Sequence, residues 1–548
     1  MIYSGQIVDI INEKIFPGEL VVENGRIMEI KKVAKADNVF VVPGLIDAHI
    51  HIESSMLVPS RFAQLAVTHG TVATVSDPHE IANVLGIDGI NYMIWDGKFT
   101  PFKFFWTVPS CVPATDFEIN GATLDATDVG KLLKRPNFVA LSEMMNYPGV
   151  INRDQEIMAK IQVATEIAKP IDGHAPLLTG QGLTRYVEAG ITTDHESISS
   201  HEAEEKIKLG MKIWAREGSA AKNLDSLISV LKKYPDQCGL CSDDLHPDDL
   251  YKGHINLLVK RLLEKKFDLY QTLKLASYNV IKHYNLPVGL LQSGDWADFI
   301  MINNIDEFKV IKTVINGKVV AKNNKATFKP RPKKIKNNFC TQQITRNQIQ
   351  IKSKKETKKE QIKGRVIEAI DQQLITKESI TSMKVNDNKI DLTGEGDVLK
   401  IVICDRYGKN MIKTGLIKNF GLHEAAVAQT VAHDSHNIIA VGDNDKAIVK
   451  AINEIIKIRG GCLLIKNNRL AGRINLTVAG LMSTRHGKVI AKKYKQLKQQ
   501  AKKAGAQLRD PFMTLSFMAL PVIPELKMTA RGLFQSQSWQ FVDVLIDE

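Results

Sequence analysis

Eight short apolar runs, separated by longer amphipathic or polar segments, occupy residues 43–244 and constrain the fold more than any other feature of the chain. The first ends at His49 and His51; the others cover 71–77, 104–108, 138–143, 170–174, 190–195, 212–216 and 238–244. A short apolar strand followed by a helix-length segment is the βα unit of a parallel sheet or barrel. Eight such units predict an α/β chain built on a (β/α)8 barrel of the TIM type, whose C-terminal strand ends surround one mouth. Most of the runs finish in a polar or ionisable residue. Chemistry is therefore expected at that mouth.

The first run reads Val41-Val42-Pro43-Gly44-Leu45-Ile46-Asp47-Ala48-His49-Ile50-His51. In an extended strand residues i and i+2 share a face, so His49 and His51 can aim both imidazoles at one cation. Neutral imidazole is the commonest protein ligand for divalent transition metals. A lone His-x-His pair also suits ordinary core or surface histidines, and a metal site needs further ligands from elsewhere. Glu143, His174, His195 and the pair Asp243-Asp244 supply them from the ends of other runs.

At 548 residues the chain is long enough for two to four domains. Residues 1–42 alternate apolar and polar, with a turn at Glu23-Asn24-Gly25, and 294–322 repeat the pattern around Asn316-Gly317. The two ends are expected to form one small β-sheet domain, 1–42 plus 294–322, flanking a barrel at 43–293. A basic linker at 323–365 and an additional C-terminal α+β domain at 366–548 follow. In the last domain 399–403 and 461–465 read as strands and 445–458 as a helix. Its His423, His433, Asp434 and His436 read first as turn or surface residues, with His433 to His436 as an alternative edge of the active site.

The formal net charge is +13, and the stretch 322–365 carries 15 Lys and Arg against two Glu, leaving 58 basic and 58 acidic side chains elsewhere. An excess confined to one Asn/Gln/Lys-rich stretch reads as a solvated linker. No stacking-aromatic pattern or zinc-finger spacing accompanies it, so no nucleic acid is expected as a partner. No apolar run approaches the length of a membrane span, and Asp9, Glu13 and Lys14 interrupt a leader, so no membrane partner and a cytoplasmic location are expected. The six scattered cysteines fit a reducing compartment.

The motifs Pro43-Gly44-Leu45-Ile46-Asp47-Ala48-His49-Ile50-His51-Ile52-Glu53-Ser54-Ser55, Ser76-Asp77-Pro78-His79-Glu80 and Cys241-Ser242-Asp243-Asp244-Leu245-His246-Pro247 resemble those of the amidohydrolase superfamily and, within it, the adenine deaminase family. The resemblance covers essentially the whole length. It implies a binuclear divalent metal centre, with one ion on His49, His51 and Asp243, the other on His174 and His195, and Glu143 as bridge where many relatives carry a carbamylated lysine. It implies manganese or iron; spacing alone leaves Zn²⁺ open. It further implies attack of a metal-bound hydroxide at C6 of adenine, with ammonia and hypoxanthine as products in purine salvage, and a homo-oligomer, a dimer.

Within that scheme Asp243 is the expected proton shuttle, and Asp77 and Glu80 are candidates for protonating a ring nitrogen or recognising the purine. Asp77-Pro78-His79-Glu80 equally suits a helix N-terminus, with Asp capping and Glu three residues on. His79, Asp244 and His246 are candidates for substrate contact. Three other readings compete. A single-zinc deaminase would use His51-Ile52-Glu53 with Cys238-Gly239-Leu240-Cys241, but Gln237 stands where that motif has proline, and strand alternation sends the two cysteines to opposite faces as core thiols. An amidohydrolase acting on another cyclic amide or amidine, such as a dihydropyrimidine or imidazolone, keeps the same metal site. A nucleic-acid-binding protein would use the 322–365 stretch as its tether.

Overall fold

The computed structural model describes residues 1–333, 335, 337–353, 361–386, 388–392 and 396–546. The eight expected runs form eight parallel strands: β1 (Leu45–Ile50), β2 (Thr71–Ser76), β3 (Lys103–Val108), β4 (Phe138–Met144), β5 (Ile171–Gly173), β6 (Thr193–Asp194), β7 (Lys212–Arg216) and β8 (Cys238–Cys241). They hydrogen-bond as two arcs, β1 to β5 and β6 to β8. Backbone bonds close both seams. Thr192 N donates to Ile171 O across the first, and Asp243 N to His49 O and His51 N to Asp243 O across the second. At the β5–β6 seam Gly173 permits the approach, since a Cβ there would lie 2.3 Å from Thr193 O. The result is the expected (β/α)8 barrel.

Flanking it is one sheet whose strands run, in spatial order, Lys325–Ala326, Lys318–Lys322, Val310–Ile315, Phe299–Ile302, Phe40–Pro43, Ile2–Asp9, Lys14–Glu23 and Arg26–Lys32. Phe299–Ile302 pairs antiparallel with Phe40–Pro43, so the chain enters and leaves the barrel through neighbouring strands. Asn24-Gly25 and Asn316-Gly317 turn two of its hairpins with positive φ at both residues, the geometry that Asn-Gly favours.

The C-terminal part is a large mixed sheet that includes Gln361–Ala369, Leu399–Cys404, Ala425–Gln429, Ile438–Gly442 and Gly461–Lys466, with the helices Asp445–Ile458 and Gly487–Lys503 packed on it. It is not tethered at a distance. Val58 N donates to Ser483 O and Ser483 N to Met56 O, and one apolar cluster runs from barrel residues such as Ile50 and Val108 into Phe512 and Phe517. Cys238 and Cys241 are buried in separate apolar clusters, and burial pushes both thiols up.

The expected linker is corrected over much of its length. Lys325–Ala326 extends the flanking sheet, and Phe339, Ile344, Ile349 and Ile351 are buried. Asn453 holds Ile344 by both its backbone N and O. Gln361–Ala369 is already a strand of the C-terminal sheet. Four apolar anchors spaced among the lysines outweigh the polar average. The Lys-rich run 354–360 lies outside the described residues. No helix among the described residues is long and apolar enough to cross a membrane.

Candidate active site

At the C-terminal end of β1, His49 Nε2 and His51 Nε2 face each other 3.1 Å apart. His51 Nδ1 donates to the Asp77 carbonyl, which leaves its Nε2 lone pair for the centre of the mouth. Asp47, two residues before His49 on β1, pins the seam: it accepts from Ser242 N at 3.0 Å, from the Ser242 hydroxyl, and pairs with His254 Nε2 at 2.8 Å.

Glu143 closes β4 and presents its two oxygens to two histidine pairs. Oε1 lies 3.1 Å from His51 Nε2 and 3.8 Å from His49 Nε2. Oε2 lies 2.8 Å from His174 Nδ1 and 3.2 Å from His195 Nε2. Asp243 Oδ1 is 3.1 Å from His51 Nε2 and 3.7 Å from His49 Nε2. Nitrogen and oxygen atoms about 3 Å apart match the edges of a coordination polyhedron with bonds of about 2.1 Å. His195 Nε2 and His174 Nε2 are buried with no hydrogen-bond partner among the described residues. The donor set and the unsatisfied His195 Nε2, which faces Glu143 Oε2, fit a divalent metal centre shared through Glu143.

Burial lowers the His49 imidazole, reinforced by the neighbouring His195 and His51. His174 is pushed up to about 9, because Glu196 and Glu143 outweigh the burial that opposes protonation. Burial raises the Glu143 and Asp243 carboxyls, yet the surrounding cations hold both well below the usual carboxylate range: chiefly His174 for Glu143, and Arg216 then His51 for Asp243.

Arg216, the last residue of β7, and Glu196, next to His195, are functional-site residues that sequence reasoning passed over. Arg216 Nη1 donates to Asp243 Oδ2 and to Glu196 Oε1, and Nη2 donates to Glu196 Oε2 at 2.6 Å. The signal available was a long cation ending an apolar strand. A guanidinium therefore holds Oδ2 of Asp243, and Oδ1 faces His49 and His51.

Asp77 is turned to His79 and away from the centre: Oδ1 accepts His79 N at 3.1 Å and Oδ2 accepts His79 Nδ1 at 2.8 Å. This orients the first residue of helix α1 (His79–Gly97). The expected reciprocal cap does not form, since Asp77 N bonds to Ile50 O and Glu80 is engaged elsewhere. Glu53 supports the same helix start by accepting Ile81 N at 3.1 Å. His79 Nε2 faces the cavity 3.5 Å from Glu80 Oε1. Although burial opposes it, Asp77, Glu80 and Asp434 raise His79 well above the usual imidazole range.

Glu80 joins the two halves of the molecule. His433 Nδ1 lies 2.5 Å from Oε1, and His436 Nε2 pairs with Oε2. Burial opposes its charge, but His433, His436 and His79 hold the carboxyl well below its ordinary value. The first reading of His433, Asp434 and His436 as turn or surface residues holds for the turn, which includes His433 and Asp434, but not for the surface, since all three are buried, whereas His423 is exposed. Their sequence neighbours gave no periodic signal, and their partner lies on the barrel.

Asp244 lines the cavity and accepts the Ser54 hydroxyl; burial and then Asp243 raise its carboxyl. His246 is placed elsewhere. Its Nδ1 lies 3.5 Å from Asp510 Oδ2 and its ring packs edge-on to Tyr494, so it braces the C-terminal part and does not line the cavity. Met145, Leu374, Phe517 and Leu520 supply the apolar part of the cavity lining. The Phe517 ring stacks on His433 with centroids 4.4 Å apart.

Comparison with known proteins agrees with this division. The amidohydrolase family model matches residues 40–320, and the adenine deaminase C-terminal domain model matches 373–540. An adenine deaminase of Methanosarcina mazei is 46% identical over 553 residues, covering 100% of both chains. One from Methanosarcina barkeri is 47% identical over 549 residues, again covering 100% of both. One from Borreliella burgdorferi is 46% identical over 546 residues and covers 98% of each.

Proposed function

This chain belongs to the adenine deaminase family of the amidohydrolases, and from that membership and the geometry of the barrel mouth we infer that it hydrolyses adenine to hypoxanthine and ammonia. The observation that carries the reading is Glu143, whose two oxygens bridge two histidine pairs at coordination spacing. An apolar wall drawn from Leu374, Phe517 and Leu520 lines the same cavity, all within the segment that matches the adenine deaminase C-terminal domain. Apolar side chains beside converging polar groups are the lining that a planar aromatic base calls for.

His49, His51 and Asp243 would hold one ion, His174 and His195 the other, with Glu143 shared. Hard carboxylates beside imidazoles suit Mn²⁺ or Fe²⁺. A divalent centre of this kind supplies a water of lowered pKa as nucleophile and polarises the group it attacks.

The remaining work falls to side chains. Asp243 Oδ1 faces the two histidines of β1 and takes the proton of the attacking water, then delivers it to the departing amine. His79, fixed by Asp77 at Nδ1, points Nε2 at the cavity and protonates the ring nitrogen beside C6 as attack pushes electron density onto it. The proton lost when the C6 carbonyl forms restores His79. Arg216 keeps Asp243 in one orientation and ionised. Wall residues exclude bulk water, which strengthens each of these electrostatic contacts.

Free adenine as substrate places the enzyme in purine salvage. The cysteines are all free, which fits the cytoplasm. The test is ammonia release from adenine, adenosine, a dihydropyrimidine and an imidazolone, with metal analysis of the same preparation. Adenine is expected to be turned over and adenosine to be poor. Equal or better turnover of adenosine or of a dihydropyrimidine would remove the substrate assignment while leaving a metal hydrolase.

A further inference from the structure

The C-terminal loop that carries His433 and His436 also carries Asp434, a buried side chain, 1% exposed, that lines the cavity. Its Oδ1 stands 3.8 Å from His79 Nε2 and 3.9 Å from His433 Nδ1, both longer than a hydrogen bond. Its Oδ2 has no donor among the described residues. Buried polar atoms are almost always partnered, and an unpaired carboxylate oxygen in a binding cavity marks a place for a ligand donor.

A third cation beside the binuclear centre is the first alternative, since Glu80, His433 and His436 cluster here. The hydrogen bonds argue against it. Ala432 N donates to His436 Nδ1 at 3.2 Å, so the proton of that ring sits on Nε2 and is donated to Glu80. A nitrogen that carries a proton cannot ligate a metal. The cluster is a hydrogen-bonded clamp. Asp434 groups instead with Glu80 and His79, but Glu80 is taken up by the clamp, and one carboxylate with one imidazole nitrogen is too few ligands for a built cation site.

What remains is a donor on the substrate. The carbon under attack must lie at the centre lined by His51, Glu143 and Asp243, so its amino group is turned to that side. His79 stands between: its Nδ1 is 3.5 Å from Glu143 Oε1, and its Nε2 faces Asp434. Asp434 is therefore one imidazole length farther from the reacting carbon, at the reach of the five-membered half of a purine. That half of a free base carries one N–H, at N9 or, in the other tautomer, at N7. A base alkylated at N9 carries none there and would turn only nitrogen lone pairs toward the carboxylate.

We propose that Asp434 is a specificity-determining residue whose Oδ2 accepts the imidazole-ring N–H of the free purine base. This rests on the proposed deaminase activity. The site discriminates twice: it bonds the free base, and it opposes an unpaired charge to an N9-substituted one.

The test compares wild type, Asp434→Asn and Asp434→Ala, each checked for unchanged thermal unfolding and metal content. Measurements are KM and kcat on adenine and 9-methyladenine, and equilibrium binding of hypoxanthine, which carries the same ring N–H. Loss of one charged hydrogen bond should raise KM for adenine and Kd for hypoxanthine by about 10- to 100-fold. The effect on kcat should be smaller, and the preference for adenine over 9-methyladenine should shrink. Unchanged KM and hypoxanthine binding in both variants would overturn the assignment, as would loss of bound metal from Asp434→Asn. Wild-type protein that releases no ammonia from adenine would defeat the deaminase reading itself. An active wild type with an indifferent Asp434→Asn defeats the role of Asp434 alone.

Discussion

Arg216 donates to Oδ2 of Asp243, the oxygen turned away from His49 and His51. The aspartate is thereby fixed in rotation and biased toward its ionised form, while Oδ1 is left to the reacting side. Asp243→Asn keeps the shape but removes the basic oxygen, so turnover should fall by about 10²-fold or more. Arg216→Met should leave the base in place but raise its proton affinity, because the cation that depresses it is gone. The acid limb of the kcat/KM profile, where the base becomes protonated as pH falls, should then move to higher pH. If the limb stays where it is in Arg216→Met, it belongs to another group.

The clamp on Glu80 should be costly to break from one side. His436→Ala would leave a buried carboxylate facing a void, and the loss of one partner from a buried ionic pair costs about 3 kcal/mol or more. Glu80→Gln removes the charge along with the pairing and should destabilise less. Urea denaturation of the two single variants and the double variant measures the coupling. Additive effects would show that the contact contributes no interaction energy.

Metal removal should separate the centre from the scaffold. Chelation should abolish ammonia release, and added Mn²⁺ or Fe²⁺ should restore it, with about two ions bound per chain at full activity. Glu143→Gln should lose metal as well as turnover, since both histidine pairs share its oxygens. Elemental analysis gives the count; a variant that keeps its full metal content would remove Glu143 from the bridging position.

Lys527 carries a separate pH effect. It is fully buried and donates to Leu374 O at 2.6 Å and Phe517 O at 3.0 Å, the carbonyls of two wall residues. Burial lowers its amine to about 7, whereas an unfolded lysine titrates near 10.4. Between these values the unfolded chain binds more protons than the folded one, so this group makes stability rise with pH across that window; below it both states are protonated and the contribution is flat. Lys527→Met should lack this rise. Denaturation curves of both proteins at pH 7 and pH 9 measure the difference, and equal pH slopes would contradict the burial of a titrating amine.

The barrel and the residues that gather at its mouth were legible because strand periodicity and a polar strand end are local signals. His49, His51, Glu143, His174, His195 and Asp243 each close a run that can be read without knowing its neighbours. What escaped reading depends on partners far along the chain. Glu80 lies 356 positions from His436, and nothing in either local stretch announces the pair. Arg216 was visible as a strand end, but its grip on Asp243 is a cross-barrel contact. The basic stretch misled through its average: its charge was counted, while Phe339, Ile344 and Ile349, which bury themselves among the lysines, were not weighed.

All six metal-facing residues precede position 244, whereas the groups that roof the cavity, Leu374, His433, Asp434, Phe517 and Leu520, come from the later half of the chain. Domains fold in order as they leave the ribosome. The ligand set is therefore complete while the pocket still stands open. The order of the chain therefore assigns the six proposed ligands to one segment and the side chains that cover them to another, so a change confined to the later segment can alter the roof without touching a ligand.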